Sequence, residues 1–121
     1  MDKVTNRPQK EDAFSNRAAE KALWYIRDNA ANAAVAKANM IYMEEFRKTV
    51  KAQCMKLSTS KSMAAQEADA YAHPNYVAHL EVMRTAIEAS ETHRWKMVAA
   101  QATIEAWRTH QANTRREQAL G

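Results

Sequence analysis

The sequence predicts an all-α fold: two long helices forming an antiparallel, coiled-coil-like hairpin with a short helix at the bend. Three observations predict it. The 121 residues contain one Gly, the last residue, and two Pro, at 8 and 74, whereas sheet proteins need Gly, Asn and Pro at their tight turns. Ala, Glu, Lys, Arg, Gln and Met are abundant, and these residues lose little entropy in a helix. Apolar residues also recur at alternating spacings of three and four along the first half of the chain, as in a coiled-coil seam.

Residues 1–12 lack periodicity and include Pro8, so a loose tail is expected there. A single helical domain then spans 13–121. No helix breaker occurs from Ala13 to Leu57. Within that span Ala19, Ala22, Ile26, Asn29, Ala33, Ala36, Met40, Met43, Arg47, Val50, Cys54 and Leu57 fall on one seam, and 10 of these 12 are apolar. Asn29 and Arg47 are the exceptions. A polar seam residue either sets register or marks where the seam opens to solvent. STSKS, residues 58–62, breaks the helix, because Ser and Thr hydroxyls favour turns and N-caps. A short helix follows at 63–72. His73-Pro74 ends it, since the residue before proline avoids the α region. Pro74 then suits the first turn of a helix running to about 118, where its missing N–H costs nothing.

Each long helix would span about 65 Å at ~1.5 Å per residue. The second is apolar on more than one side. Leu80, Met83 and Ile87 form one stripe. Further on, Trp95, Val98, Ala99, Ala102 and Ala106 lie on one side, and Met97, Ala100, Ile104 and Trp107 on another. A helix apolar on two sides needs two partners. The second is expected to be another subunit, so Trp95, Met97, Ile104 and Trp107 are expected to pack in the hairpin or against a neighbouring copy. Trp24 is likewise expected to pack.

Cys54 is the only cysteine, which excludes an intrachain disulfide. No apolar leader segment and no run of ~20 apolar residues is present, so a cytoplasmic protein, without membrane contact, is expected. No catalytic constellation stands out. The histidines at 73, 79, 93 and 110 offer no i, i+4 pair, no HExxH or CxxC occurs, and no Gly-rich loop could cradle a phosphate. The chain is not expected to be an enzyme, nor to carry a metal or cofactor.

The formal charge is +4, from 18 Lys and Arg against 14 Asp and Glu. Residues 47–61 hold five basic and no acidic groups, and residues 93–121 hold five basic and two acidic. Arg47, Lys48 and Lys51 lie within about one turn, and Lys56 and Lys61 extend the patch to the bend. Such a patch can track a phosphate backbone and gain from counterion release. In the second helix Arg94, Arg108 and Arg115 share a stripe, with Lys96 and Arg116 nearby. Arg–aromatic mixtures suit single strands, whose bases stack on π faces while cations hold phosphates. These nine residues (Arg47, Lys48, Lys51, Lys56, Lys61, Arg94, Arg108, Arg115 and Arg116) are the candidate DNA contacts. A solvated helix face is the alternative reading for both segments.

The segments ALWYIRDNAANAAVAKANMIYMEEFRKTVKA, EADAYAHPNYVAHL and TIEAWRTHQANTRR carry a further likeness. Together they resemble a group of small phage proteins similar to the UvsY-like recombination mediators, over about residues 20–116. The resemblance implies a helical, non-enzymatic, ring-forming homo-oligomer that binds single-stranded DNA. It also implies help for a RecA-type recombinase in displacing single-strand-binding protein, in a host cell's cytoplasm. Carried over by position, the DNA-binding part of the first helix falls on Arg47, Lys48 and Lys51. The competing expectation is a helical protein-interaction module, such as an inhibitor or assembly factor acting on a host or phage protein.

Overall fold

A computed structural model describes residues 13–120; the expected tail at 1–12 lies outside the described residues. Among the described residues there are three helices: α1 at Asn16–Leu57, α2 at Met63–Ala72 and α3 at Pro74–Leu120. The fold is an all-α hairpin of two long helices with a short one between. No strand occurs among the described residues. None of their helices is long and apolar enough to cross a membrane.

Local chemistry sets each helix end. Ser15 Oγ accepts the Ala18 N–H at 3.1 Å, so α1 starts at Asn16 rather than at the expected Ala13. Such a serine cap stabilises a helix by about 1 kcal/mol. Ser62 caps α2 in the same way, accepting the Ala65 N–H at 3.1 Å. His73 is held extended (φ −68°, ψ 136°) by the proline that follows it. Its Nδ1 accepts the Asn75 N–H at 3.0 Å, satisfying one of the donors left open at the start of α3. α3 continues to Leu120, two residues past the expected end.

Packing divides the chain into two compact units. A bend unit comprises Ala31–His93, and a terminal unit joins the chain up to Ala30 with the chain from Arg94 onward. The bend unit holds a core of Val50, Cys54, Ala70 and Tyr76, with Phe46 and Met55 packed against it. Ala70 is fully buried and Cys54 nearly so. Tyr76 meets Tyr71 edge to face at 5.3 Å, a favoured aromatic arrangement. Farther from the bend, the His79 Nε2 lies 2.8 Å from the Met43 carbonyl oxygen, and its ring tilts against Phe46.

In the terminal unit the buried residues are Ala22 and Ala100, around which Ala19, Ile26, Met97, Ile104 and Trp107 are half-buried. The Trp107 indole N–H donates to Asn16 Oδ1 at 2.8 Å. The ring of Phe14 stacks on His110 at 4.9 Å. Met97, Ala100, Ile104 and Trp107 are therefore the inward side of this stretch of α3.

Several expected packing positions differ. Arg47 is exposed, and the half-buried Phe46 takes its place beside the core. Leu57 is exposed too, because α1 ends there. Asn29 turns back on its own helix, its Nδ2 donating to the Tyr25 carbonyl at 2.9 Å. On α3 the inward positions of the bend unit are Tyr76, His79, Met83, Ala86, Ser90 and His93, not Leu80 and Ile87, which are exposed. These inward positions keep the three–four alternation, but Ser and two His occupy it, so an apolar count passes over them. Trp24 and Trp95 are not buried: they are 51% and 59% exposed.

Candidate nucleic-acid interface

The helical repeat decides which basic and aromatic side chains face outward. Successive residues turn by about 100°, so a residue two places from an inward one points away from it. Trp24 is two places after Ala22, and Trp95 is two places before Met97. Both therefore leave the seam. Each carries a guanidinium over its ring: Arg27 at 5.4 Å from the Trp24 centroid and Arg94 at 4.7 Å from the Trp95 centroid. Such cation–π contacts contribute about 0.5–1 kcal/mol at exposed sites.

Between α1 and α3 of the terminal unit runs a shallow groove of about 520 Å³. Its floor is alanine, including Ala18, Ala22, Ala99 and Ala100, with Lys21, Tyr25, Lys96 and Thr103 along it. No carboxylate lines it. Alanine at these places lets the helices approach closely and leaves the lysine stems to form the walls, their ammonium groups kept in water. On the same unit Arg115 and Arg116 are exposed. Arg108 pairs with Glu105 at 3.0 Å, with both side chains about two-thirds exposed. A pair so open to water contributes little and yields readily to a phosphate.

The other five candidate contacts lie in the bend unit, and two of them, Lys48 and Lys51, are engaged there. Lys51 is half-buried: its Nζ lies 3.4 Å from a Glu67 carboxylate oxygen and 4.8 Å from the Tyr71 ring centroid. Hydrogen bonding to the Tyr71 side chain, and then to Glu67, holds the Lys51 ammonium above the ordinary lysine pKa despite partial desolvation. Lys48 pairs with Glu45 at 3.3 Å on the surface. Arg47, Lys56 and Lys61 are exposed. The break itself is clasped by Asp69, whose carboxylate accepts from Ser58 Oγ at 2.6 Å and Ser60 Oγ at 2.7 Å. Those hydroxyls, Ser58 first, hold Asp69 below the ordinary aspartate pKa.

Summed by unit, the charges separate. Among described residues the terminal unit holds eight basic and four acidic side chains, while the bend unit holds seven of each. The basic run at 47–61 looks uncompensated along the chain, but folding places Glu67 and Asp69 of α2 in the same compact unit. The terminal unit keeps the excess. Lys21, Trp24 and Arg27 were not picked out as contacts from sequence. Lys21 sits in an evenly charged stretch, and its shared groove with Lys96 exists only once the helices pair.

Comparison with protein-family models, with curated proteins and with solved structures finds no match to this chain. Among the described residues no cluster of His, Cys, Asp and Glu is arranged to hold a metal ion.

Proposed function

We propose that this chain is a non-enzymatic recombination mediator of the UvsY-like kind. It binds single-stranded DNA as a homo-oligomer and assists loading of a RecA-type recombinase onto strands covered by single-strand-binding protein. The observation that carries the reading is the excess of basic over acidic side chains among the described residues of the terminal unit, with its carboxylate-free groove between Lys21 and Lys96. A groove of this kind attracts a phosphate backbone and releases its counterions. Repeated on several subunits, weak contacts of this sort multiply through linkage. Arg108, Arg115 and Arg116 extend the charge along α3, and Arg47, Lys56 and Lys61 add contacts from the bend unit.

Gel shifts in rising salt test the reading. Single-stranded DNA is expected to bind, with affinity falling linearly in log–log form as salt rises. The triple change Arg108→Gln, Arg115→Gln, Arg116→Gln is expected to flatten that slope by about 2, at ~0.7 per phosphate contact on a single strand. The loss should be uniform across sequences. Absence of binding at low salt ends the reading. The loading step is checked by whether the protein restores recombinase ATP hydrolysis on strands coated with single-strand-binding protein.

One observation favours a second reading, a protein-interaction module. The bend unit has an open groove of about 530 Å³ that no charged side chain lines, with the exposed Val35 and Val82 among its walls. Capture of one stoichiometric protein partner, unchanged by nuclease, would favour this reading over DNA binding.

A further inference from the structure

We infer that the terminal unit holds bases as well as phosphates, with Trp24 and Trp95 acting as two stacking platforms for single-stranded DNA. The inference rests on the DNA-binding reading and deepens it. Trp95 was expected to pack and Trp24 likewise, yet both indoles stand more than half exposed on the outward sides of their helices. Exposing an indole to water is unfavourable, since it is among the largest apolar surfaces a side chain offers. Trp107, by contrast, faces inward with its N–H satisfied by Asn16.

Charge decides the kind of occupant. An apolar protein surface laid over these indoles would also have to desolvate the guanidinium groups of Arg27 and Arg94, which sit over the rings, and taking a charged group out of water is costly. A single strand meets both needs at once. It brings a π face to the indole and a phosphate to the guanidinium beside it, the combination by which proteins hold single strands without reading sequence. A guanidinium covers only one face of a ring, which leaves the other face or the ring edge for a base. The unit's excess of basic over acidic side chains fits the same partner. A duplex, whose bases are already stacked on one another, offers no base to these platforms.

Fluorescence anisotropy with two labelled strands separates base contacts from phosphate contacts. One strand is oligo(dT), and the other is an abasic strand of equal length and charge. The full-length protein is expected to bind oligo(dT) more tightly than the abasic strand. Trp24→Ala and Trp95→Ala should each cost about tenfold on oligo(dT), as expected for a lost stacking contact, and leave abasic binding unchanged. Trp24→Phe and Trp95→Phe should restore much of the loss, because phenylalanine keeps a stacking face. Circular dichroism should show unchanged helix content, since both indoles are more than half exposed. Equal binding of both strands by the wild type, or a preference that survives both Ala changes, overturns the inference and leaves the phosphate-based reading standing. A drop in sedimentation coefficient for the Ala variants without DNA also overturns it, because the indoles then bury against another copy. Binding to neither strand overturns both readings.

Discussion

The two units are built from the same pair of long helices, yet they differ in what fills the seam and in what is left outside. In the bend unit α2 supplies a third wall, and Val50, Cys54, Ala70 and Tyr76 close into a core. The same helix brings Glu67 to Lys51 and Asp69 to Ser58 and Ser60. Charges there are matched in number. Among the described residues the terminal unit has the two long helices, with Ala22 and Ala100 buried and both tryptophans outside the seam left exposed. Two helices cannot enclose much apolar surface, and among the described residues basic side chains outnumber acidic ones there by eight to four. A short third helix thus both makes a core and pairs Lys51 of the basic segment. Among the described residues the terminal unit has no such helix, and its basic side chains stay in excess.

The largest effect that would break this contrast is on stability. Tyr76→Ala removes a buried aromatic from the bend unit and is expected to cost about 3–5 kcal/mol, the range for large aromatics cut to alanine in a core. Ile104→Ala, at a half-buried place in the terminal unit, should cost less than about 2 kcal/mol, at or below the low end for buried aliphatics. Urea melts followed by circular dichroism give both values; equal losses would mean that the terminal unit is as well packed as the bend. A smaller effect sharpens the comparison. Trp107→Phe keeps the ring's apolar body but removes the hydrogen bond to Asn16, with an expected cost of about 1 kcal/mol. Amide exchange near the start of α1 should quicken in that variant, while the amides around Tyr76 keep their protection.

Much of the architecture was legible because it rests on local rules. Seryl and prolyl positions announced the bend, and the alternation along α1 located Ala22, Val50 and Cys54 on the inward side. The inward line of α3 was harder to read because His79, Ser90 and His93 hold places where an apolar residue would be counted. His79 shows why: it satisfies a carbonyl of α1, a partner 36 residues away. The candidate interface was legible in part. Arg94, Arg108, Arg115 and Arg116 were visible as a basic stretch, and the structure leaves them in the positively charged unit. For the segment at 47–61, a run without acids says nothing about which carboxylates fold beside it, such as Glu67 at Lys51. The outward direction of Trp24 and Trp95 was present in their spacing from Ala22 and Met97. For Trp24 it could be read from the place of Ala22 on the seam, whereas for Trp95 it became readable only once Met97 was known to be inward.

The smallest expected effect concerns the clasp at the bend. Asp69 is held below its ordinary pKa of 3.8 by the Ser58 and Ser60 hydroxyls. A depressed carboxylate contributes stability above its unfolded pKa and loses it as pH falls through the folded value. The clasp is therefore complete at neutral pH and begins to open only below about pH 4, near the ordinary aspartate value. Both hydroxyls and the carboxylate are open to water, so the effect on the whole fold is slight. It should be clearest locally, at the Ser60 N–H, which donates to Ser58 Oγ at 3.1 Å. Exchange of that amide, measured relative to unstructured peptide rates, should lose protection in the wild type as pH falls below about 4, the side of the ordinary aspartate pKa where the charge is lost. Asp69→Asn should show low protection throughout and no step. A parallel step in both proteins would assign the change to other carboxylates, and α2 would then be held to the bend by its packing around Ala70 rather than by the clasp.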